Sequence, residues 1–167
     1  IFIIIVVIFS APYSTAGVQA FTGLFIYAKT WHFNDLIHGF LSTILDLFQL
    51  NGNQYARTIC ISLLAATIIY KINREADLIR IAFSTLTAFM ILSPTLHPWY
   101  LLWTVPFFCL FPKISWILFS CLLFLSYEVL INYKSNGVWE EQQWVLWCEY
   151  VPLFSILLWE KLRYHRE

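Results

Sequence analysis

The sequence predicts an all-α fold, a polytopic transmembrane helical bundle with an external interfacial helix. Two observations carry this. Of the 167 residues, 60% are hydrophobic and only 12% charged, with a mean hydropathy of +0.69. Soluble domains carry about 25% charged residues, so the charge here is too sparse to coat a soluble surface. The apolar residues are also gathered into long runs, near the length that crosses about 30 Å of hydrocarbon.

The runs are taken in chain order. Residues 1–9, IFIIIVVIF, have neither a starting Met nor the basic region of a signal peptide. They read as the end of a truncated first span, so a fragment of a longer chain is expected. Residues 10–53 are expected to form an external juxtamembrane region. Within it, Val18, Phe21, Leu24, Phe25 and Ala28 recur at helical spacing, predicting an amphipathic helix over 15–29 that lies in the membrane surface. The run 36–50 is interrupted by His38, Gly39, Ser42, Thr43 and Asp46. It is too short to span and is expected to be interfacial or re-entrant.

Five spans are predicted after it, at about 54–71, 78–93, 99–112, 114–131 and 144–161. The third is short and contains Pro106, so it is expected to be tilted or broken. No internal repeat or linker appears, and residues 1–167 read as a single membrane domain.

Loop charges orient the spans. Lys71, Arg74 and Arg80 fall in one turn, Lys113 in another, and Lys161, Arg163 and Arg166 at the C-terminal end. The intervening loops hold one Lys, Lys134, and the second of them also carries Glu140 and Glu141. By the positive-inside rule the basic turns and the C-terminus are cytoplasmic. The expected setting is a multi-pass protein of a prokaryotic plasma membrane. Residues 10–53, the SPTLHPW corner at 93–99 and the loop 132–143 then face outside.

The formal net charge is zero, and basic residues are not banked into a stripe. Nucleic acid is not an expected partner, since binding it needs clustered Lys and Arg. Cys60, Cys109, Cys121 and Cys148 are scattered through apolar runs and read as packing residues. His32 and His38 are six apart and do not share a helix face, so metal ligation has little support, although a divalent metal stays open as a cofactor. No nucleophile elbow, phosphate loop or dinucleotide fingerprint is present.

The expected topology collects polar groups on the outer face. Trp31, Asn34, Asp35 and His97 lie outside, and Arg57 and Glu128 about one turn inside their spans. Glu149 lies deeper. A charge at mid-bilayer costs ~3 kcal/mol, less near the interface where long side chains snorkel. Glu149 is too short for that, so it is expected to face a watery cavity or to hold Arg57 or His97 in position. Pro94 and Pro98 force extended backbone on the residues before them and place His97 in a tight external turn. Its imidazole can donate to an anionic oxygen, bind metal or shuttle protons. Trp31, Trp99 and Tyr100 suit either an interfacial aromatic belt or a surface on which a sugar stacks. Asn34 and Asp35 are alternative caps for the helix that follows.

The stretches GLFIYAKTWHFND, LSPTLHPWYLLWTVPFF, SYEVL and CEYVPLF, in this order, resemble the C-terminal part of a GT-C type glycosyltransferase. The resemblance is to the polyprenyl-phosphate-mannose-dependent mannosyltransferases, and it runs along most of the chain. It implies a GT-C like membrane enzyme. Such an enzyme moves a sugar, usually mannose, from a polyprenyl-phosphate donor to a glycan or glycolipid acceptor on the extracytoplasmic face. In such enzymes the catalytic acid residue lies in the first external loop, so the base is expected upstream of this chain, and the chain alone is expected to be inactive. Asp35 does not match that position. The resemblance leaves His97, Arg57, Trp31, Asn34, Trp99, Tyr100 and Glu149 as expected substrate-binding residues. His97 and Arg57 would contact the lipid phosphate, and Trp31, Trp99 and Tyr100 would stack on sugar or prenyl. A transporter or flippase for a lipid-linked sugar and a non-catalytic membrane subunit are the rival readings; the transporter would show inverted repeats, and none is found.

Overall fold

The computed structural model describes residues 1–164. Arg166, one of the basic residues used to orient the C-terminus, lies outside the described residues. The chain forms two compact units, Ile1–Trp31 and the remainder from His32.

The first unit is built of helical segments: α1 (Phe2–Ser10), a 3-10 stretch over Ala11–Phe21, and α2 (Thr22–Thr30). Gly17, at φ 51°, interrupts it with a conformation that a residue with a Cβ rarely takes. The amphipathic helix expected over 15–29 is therefore not one helix. Its first part is 3-10 and broken at Gly17, and only its second part is α. No side chain of α1 or α2 is buried.

In the second unit α3 (Leu36–Leu47) fills the interrupted run 36–50. The helix α4 (Gly52–Arg74) starts where the Asn51 side chain accepts from the Gln54 N–H at 3.2 Å, and ends on Lys71 and Arg74, favourable charges at a helix C-terminus. The helix α5 (Leu78–Leu92) starts on Asp77, whose carboxylate accepts from the Ile79 N–H at 2.9 Å. It stops at Ser93, which is extended (ψ 137°) because Pro94 follows. The run 99–112 is broken, as Pro106 suggests. A 3-10 turn over Pro98–Trp103 leads to the four-residue α6 (Val105–Phe108), since Pro98 and Pro106 supply no N–H to a continuous ladder. Then come α7 (Ile114–Leu122), a 3-10 link over Leu123–Tyr127, and α8 (Glu128–Asn136), ended by Gly137 at φ 69°. The last helix, α9 (Gln143–Tyr164), contains Pro152.

Among the described residues three stretches are long and apolar enough to cross a membrane: Phe2–Thr30, Gly52–Arg74 and Ile114–Asn136. The helix α3 packs on α4, α4 on α5, and α7 on α9. Between these pairs sits a core of Met90, Leu96, Leu101, Trp116, Phe119, Leu123, Tyr150 and Leu153. Cys60 is buried, whereas Cys109, Cys121 and Cys148 lie on the surface, so three of the four cysteines do not pack inside the chain as expected.

Candidate functional site

The polar residues of the second unit converge on a three-residue segment, Phe33 to Asp35, just before α3. The segment is pinned by backbone. The Phe33 N–H donates to the Pro94 carbonyl at 3.0 Å, and the Leu96 N–H donates to the Phe33 carbonyl at 2.8 Å. This bridge lays the segment beside the SPTLHPW corner. Asn34 follows at φ 52°, a left-handed conformation that Asn tolerates better than most residues with a Cβ.

That turn aims the polar groups of Asn34 at α9 and the loop before it. The Asn34 N–H donates to Glu141 Oε2 at 2.8 Å, and its side-chain Nδ2 donates to Glu149 Oε2 at 2.6 Å. The Tyr150 hydroxyl donates to the Asn34 carbonyl at 2.8 Å. Asn34, Glu149 and Tyr150 are all buried. Two acceptors in this cluster, Asn34 Oδ1 and Glu149 Oε1, are buried without a hydrogen-bond partner among the described residues. Burial raises the Glu141 carboxyl from 4.5 to about 7; the Asn34 N–H opposes the rise and the Asp35 charge adds to it.

Asp35 occupies the N-cap position of α3, but its side chain makes no cap hydrogen bond. It binds His38 Nδ1 instead, one turn on, and its other oxygen lies 4.0 Å from His32 Nδ1. A Cβ at Gly39 would meet Asp35 Oδ1 at 3.3 Å, so a glycine there leaves the carboxylate its space. His38 is buried, and its Nε2 has no hydrogen-bond partner among the described residues.

The aromatic side of the segment is a stack. His97 lies 4.7 Å from the Phe33 ring and 4.2 Å from Trp99, nearly parallel to both, with the Tyr100 ring edge-on at 5.8 Å. Burial in this stack lowers the His97 pKa below its usual 6.5. His97 is therefore a neutral imidazole at pH 7, a hydrogen-bond donor and acceptor rather than a cation.

Of the residues expected from the sequence, Asn34 and Glu149 are brought into direct contact. His97, Trp99 and Tyr100 gather beside Phe33. Arg57 Nε donates to Asn53 Oδ1 at 2.8 Å, and its guanidinium is within electrostatic reach of Asp35. Trp31 belongs to the N-terminal unit, where it stacks on Tyr27 at 6.0 Å. The role expected for Glu149 is corrected: its hydrogen-bond donor is the Asn34 amide, not Arg57 or His97. Glu141 and His38 were missed. Glu141 gave no signal, because nothing in EEQQ tells which of two adjacent carboxylates turns inward. His38 gave a weak one, a histidine interrupting an apolar run three residues after an aspartate.

A small, partly open cleft adjoins the cluster. It is lined by Phe33, Asn34, Ser126, Glu128, Val129, Glu141, Gln142, Val145 and Leu146. Glu128 accepts from Asn132 Nδ2 at 3.1 Å on its rim. Among the described residues no group of three or more His, Cys, Asp or Glu is placed to hold a metal ion.

The family model described as the MptB C-terminal domain matches residues 34–157, from Asn34 itself to the middle of α9. The chain belongs to the MptB family. No curated protein and no solved structure matches it. Membership of the MptB family agrees with the resemblance to the C-terminal part of a GT-C mannosyltransferase, and it suggests a membrane glycosyltransferase. Every residue of the Asn34 cluster, the His97 stack and the cleft lies in the MptB C-terminal domain, except Phe33, which immediately precedes it.

Proposed function

We propose that the chain is the substrate-binding part of a membrane glycosyltransferase that moves mannose from a polyprenyl-phosphate donor to a hydroxyl of a glycan or glycolipid. Transfer takes place on the extracytoplasmic face, the side opposite the basic turns. The observation that carries the reading is the gathering of His97, Trp99, Tyr100, Arg57, Asn34 and Glu149 around one three-residue segment of an MptB domain.

In this reading Arg57 and His97 bind the lipid phosphate. Its negative charge grows as the glycosyl bond breaks, so a fixed cation and a hydrogen-bond donor stabilise the transition state more than the ground state. Arg57 supplies the charge. His97, neutral by burial, supplies an N–H. Trp99, half exposed, offers its face to sugar or prenyl.

The test is transfer by the full-length enzyme carrying His97→Ala or Arg57→Ala, with polyprenyl-phosphate-mannose as donor. A fall of about 100-fold or more in turnover for Arg57→Ala is expected; unchanged turnover in both variants overturns the proposal. A reporter fused to the C-terminus checks the orientation, and a periplasmic signal overturns it.

A further inference from the structure

The loop between α8 and α9 grips the segment before α3 at two adjacent residues. The Trp139 ring lies 5.6 Å from the Phe33 ring, tilted by 54°, and Glu141 Oε2 accepts from the Asn34 N–H at 2.8 Å. The loop opens at Gly137, whose φ of 69° turns the chain out of α8. Trp139 is 39% exposed, and Tyr133, in the last turn of α8, meets its ring at 6.1 Å. The proposed transfer gives neither the loop nor Trp139 a task.

The same segment carries His97. The His97 backbone is held: it is extended (φ -90°, ψ 149°) between the buried Leu96 and Pro98, and the Leu96 N–H is tied to the Phe33 carbonyl at 2.8 Å. A held backbone does not fix the imidazole, because the last torsion of a histidine has broad minima. Packing sets the plane of the ring, between Phe33 at 4.7 Å and Trp99 at 4.2 Å. The two walls differ. Trp99 is half exposed, whereas Phe33 is 2% exposed and is the firmer of the two. The Phe33 ring has an equally soft last torsion, and it rests on Trp139.

We infer that Trp139 is a positioning residue: acting through Phe33, it holds the His97 imidazole in the plane from which its N–H meets the donor phosphate. The inference rests on the proposed transferase reading. Preorganised donors stabilise a transition state only when they are already in place, and a displacement of about 1 Å caused far from the chemistry costs up to about 100-fold. A tryptophan that only anchors the bundle in the membrane belt has no such effect. Trp139 differs from such an anchor in lying on a buried ring, in a loop whose next residues are Glu140, Glu141 and Gln142.

The experiment uses the full-length enzyme with polyprenyl-phosphate-mannose as donor. It reads kcat, KM for the donor and the Hε1 resonance of His97, identified by histidine-selective labelling and its loss in His97→Ala. Trp139→Ala is expected to lower kcat about tenfold, to leave KM within about threefold, and to move the resonance as the Phe33 ring turns. Trp139→Phe, which keeps a ring against Phe33, is expected to restore both. Trp144→Ala, which removes an exposed tryptophan from the first turn of α9, is expected to change neither. The remaining histidine resonances should stay in place in every variant, which shows that each one folds. Wild-type kcat in Trp139→Ala overturns the inference, and so does a loss with the resonance unmoved, or an equal loss in Trp139→Phe or Trp144→Ala. If His97→Ala keeps full turnover, the role given to His97 falls and the inference with it. A loss in His97→Ala with none in Trp139→Ala removes the inference alone.

Discussion

The side-chain amide of Asn34 donates to Glu149 at 2.6 Å, across 115 positions of sequence, with both residues buried. The contact joins the segment before α3 to the last helix. It also gives the Glu149 carboxylate its donor inside the protein. A hydrogen bond to a charged group contributes about 1.5–3 kcal/mol, and a buried acceptor stripped of its donor loses more than a surface one. Asn34→Ala is therefore expected to lower the midpoint of thermal unfolding in detergent by several degrees, at about 2–4 °C per kcal/mol for a chain of this size. Asn34→Gly removes the same amide but accepts φ 52° without strain. It should fall by less than Asn34→Ala, and equal loss in the two would show that the left-handed backbone contributes nothing.

Glu141 makes stability depend on pH. Its carboxyl is raised from 4.5 to about 7, so the folded state holds a proton that the unfolded chain has released across that window. Stability contributed this way is fully present below the unfolded value and declines as pH rises towards 7, by up to about 3 kcal/mol. His97 acts in the opposite sense. Burial disfavours its imidazolium, so its share is present at neutral pH and lost as pH falls below 6.5. Comparing the wild type with Glu141→Gln isolates the first effect. The variant should gain most over the wild type near pH 8 and nothing near pH 4, read by unfolding midpoint at each pH.

The junction of α3 and α4 depends on the absence of a side chain at Gly52. A Cβ there would lie 2.2 Å from the Ser42 carbonyl and 2.6 Å from Asp46 Oδ1, which already accepts from the Gly52 N–H at 2.8 Å. Backbone oxygen cannot rotate away, so α4 must shift off α3. Gly52→Ala should destabilise by at least about 1–3 kcal/mol. Gly23→Ala, where a Cβ meets nothing within 4 Å, should be neutral or slightly stabilising in the same unfolding assay.

His38 is tied to Asp35 inside the protein, and both side chains are largely buried. His38→Phe keeps an aromatic ring but leaves the carboxylate without its donor, a loss of about 1–3 kcal/mol for a buried acceptor left unpaired. Adding Asp35→Leu should recover part of it, because no uncompensated charge then remains. A double-mutant cycle measures this; additive losses would mean that the two residues do not interact.

The sequence carries the helices better than the site. The runs at 54–71 and 78–93 emerge as α4 and α5 because apolar composition and an N-terminal Asn or Asp cap agree there, joined at the end of α4 by the basic residues Lys71 and Arg74. The break within 99–112 was legible from Pro106, since a missing N–H is a local fact. The helix expected over 15–29 was not, because a glycine at positive φ overrides periodicity and nothing in AGVQ announces it. Asn34, Glu149 and His97 were each legible as polar interruptions in greasy surroundings. The pairing of Asn34 with Glu149 was not. It joins positions more than a hundred apart and turns on the left-handed twist of Asn34, which no spacing rule encodes. Glu149 was expected to face a watery cavity or to hold Arg57 or His97, and it meets the Asn34 amide instead for that reason.

The last helix has a consequence for how the protein is made. Besides Glu149 and Tyr150, α9 supplies Glu160, whose carboxylate accepts from the Ser115 hydroxyl at 2.8 Å and lies 3.4 Å from the Ser115 N–H, at the first turn of α7. Chains emerge from the ribosome N-terminus first. During synthesis the Asn34 amide and the opening turn of α7 must therefore wait, unpaired, for residues made more than forty positions after Ser115 and more than a hundred after Asn34. The 22 residues of α9 close both open ends at once. A chain stopped short of them would hold all its other helices and still be an unfinished assembly, exposed to the cell's quality control.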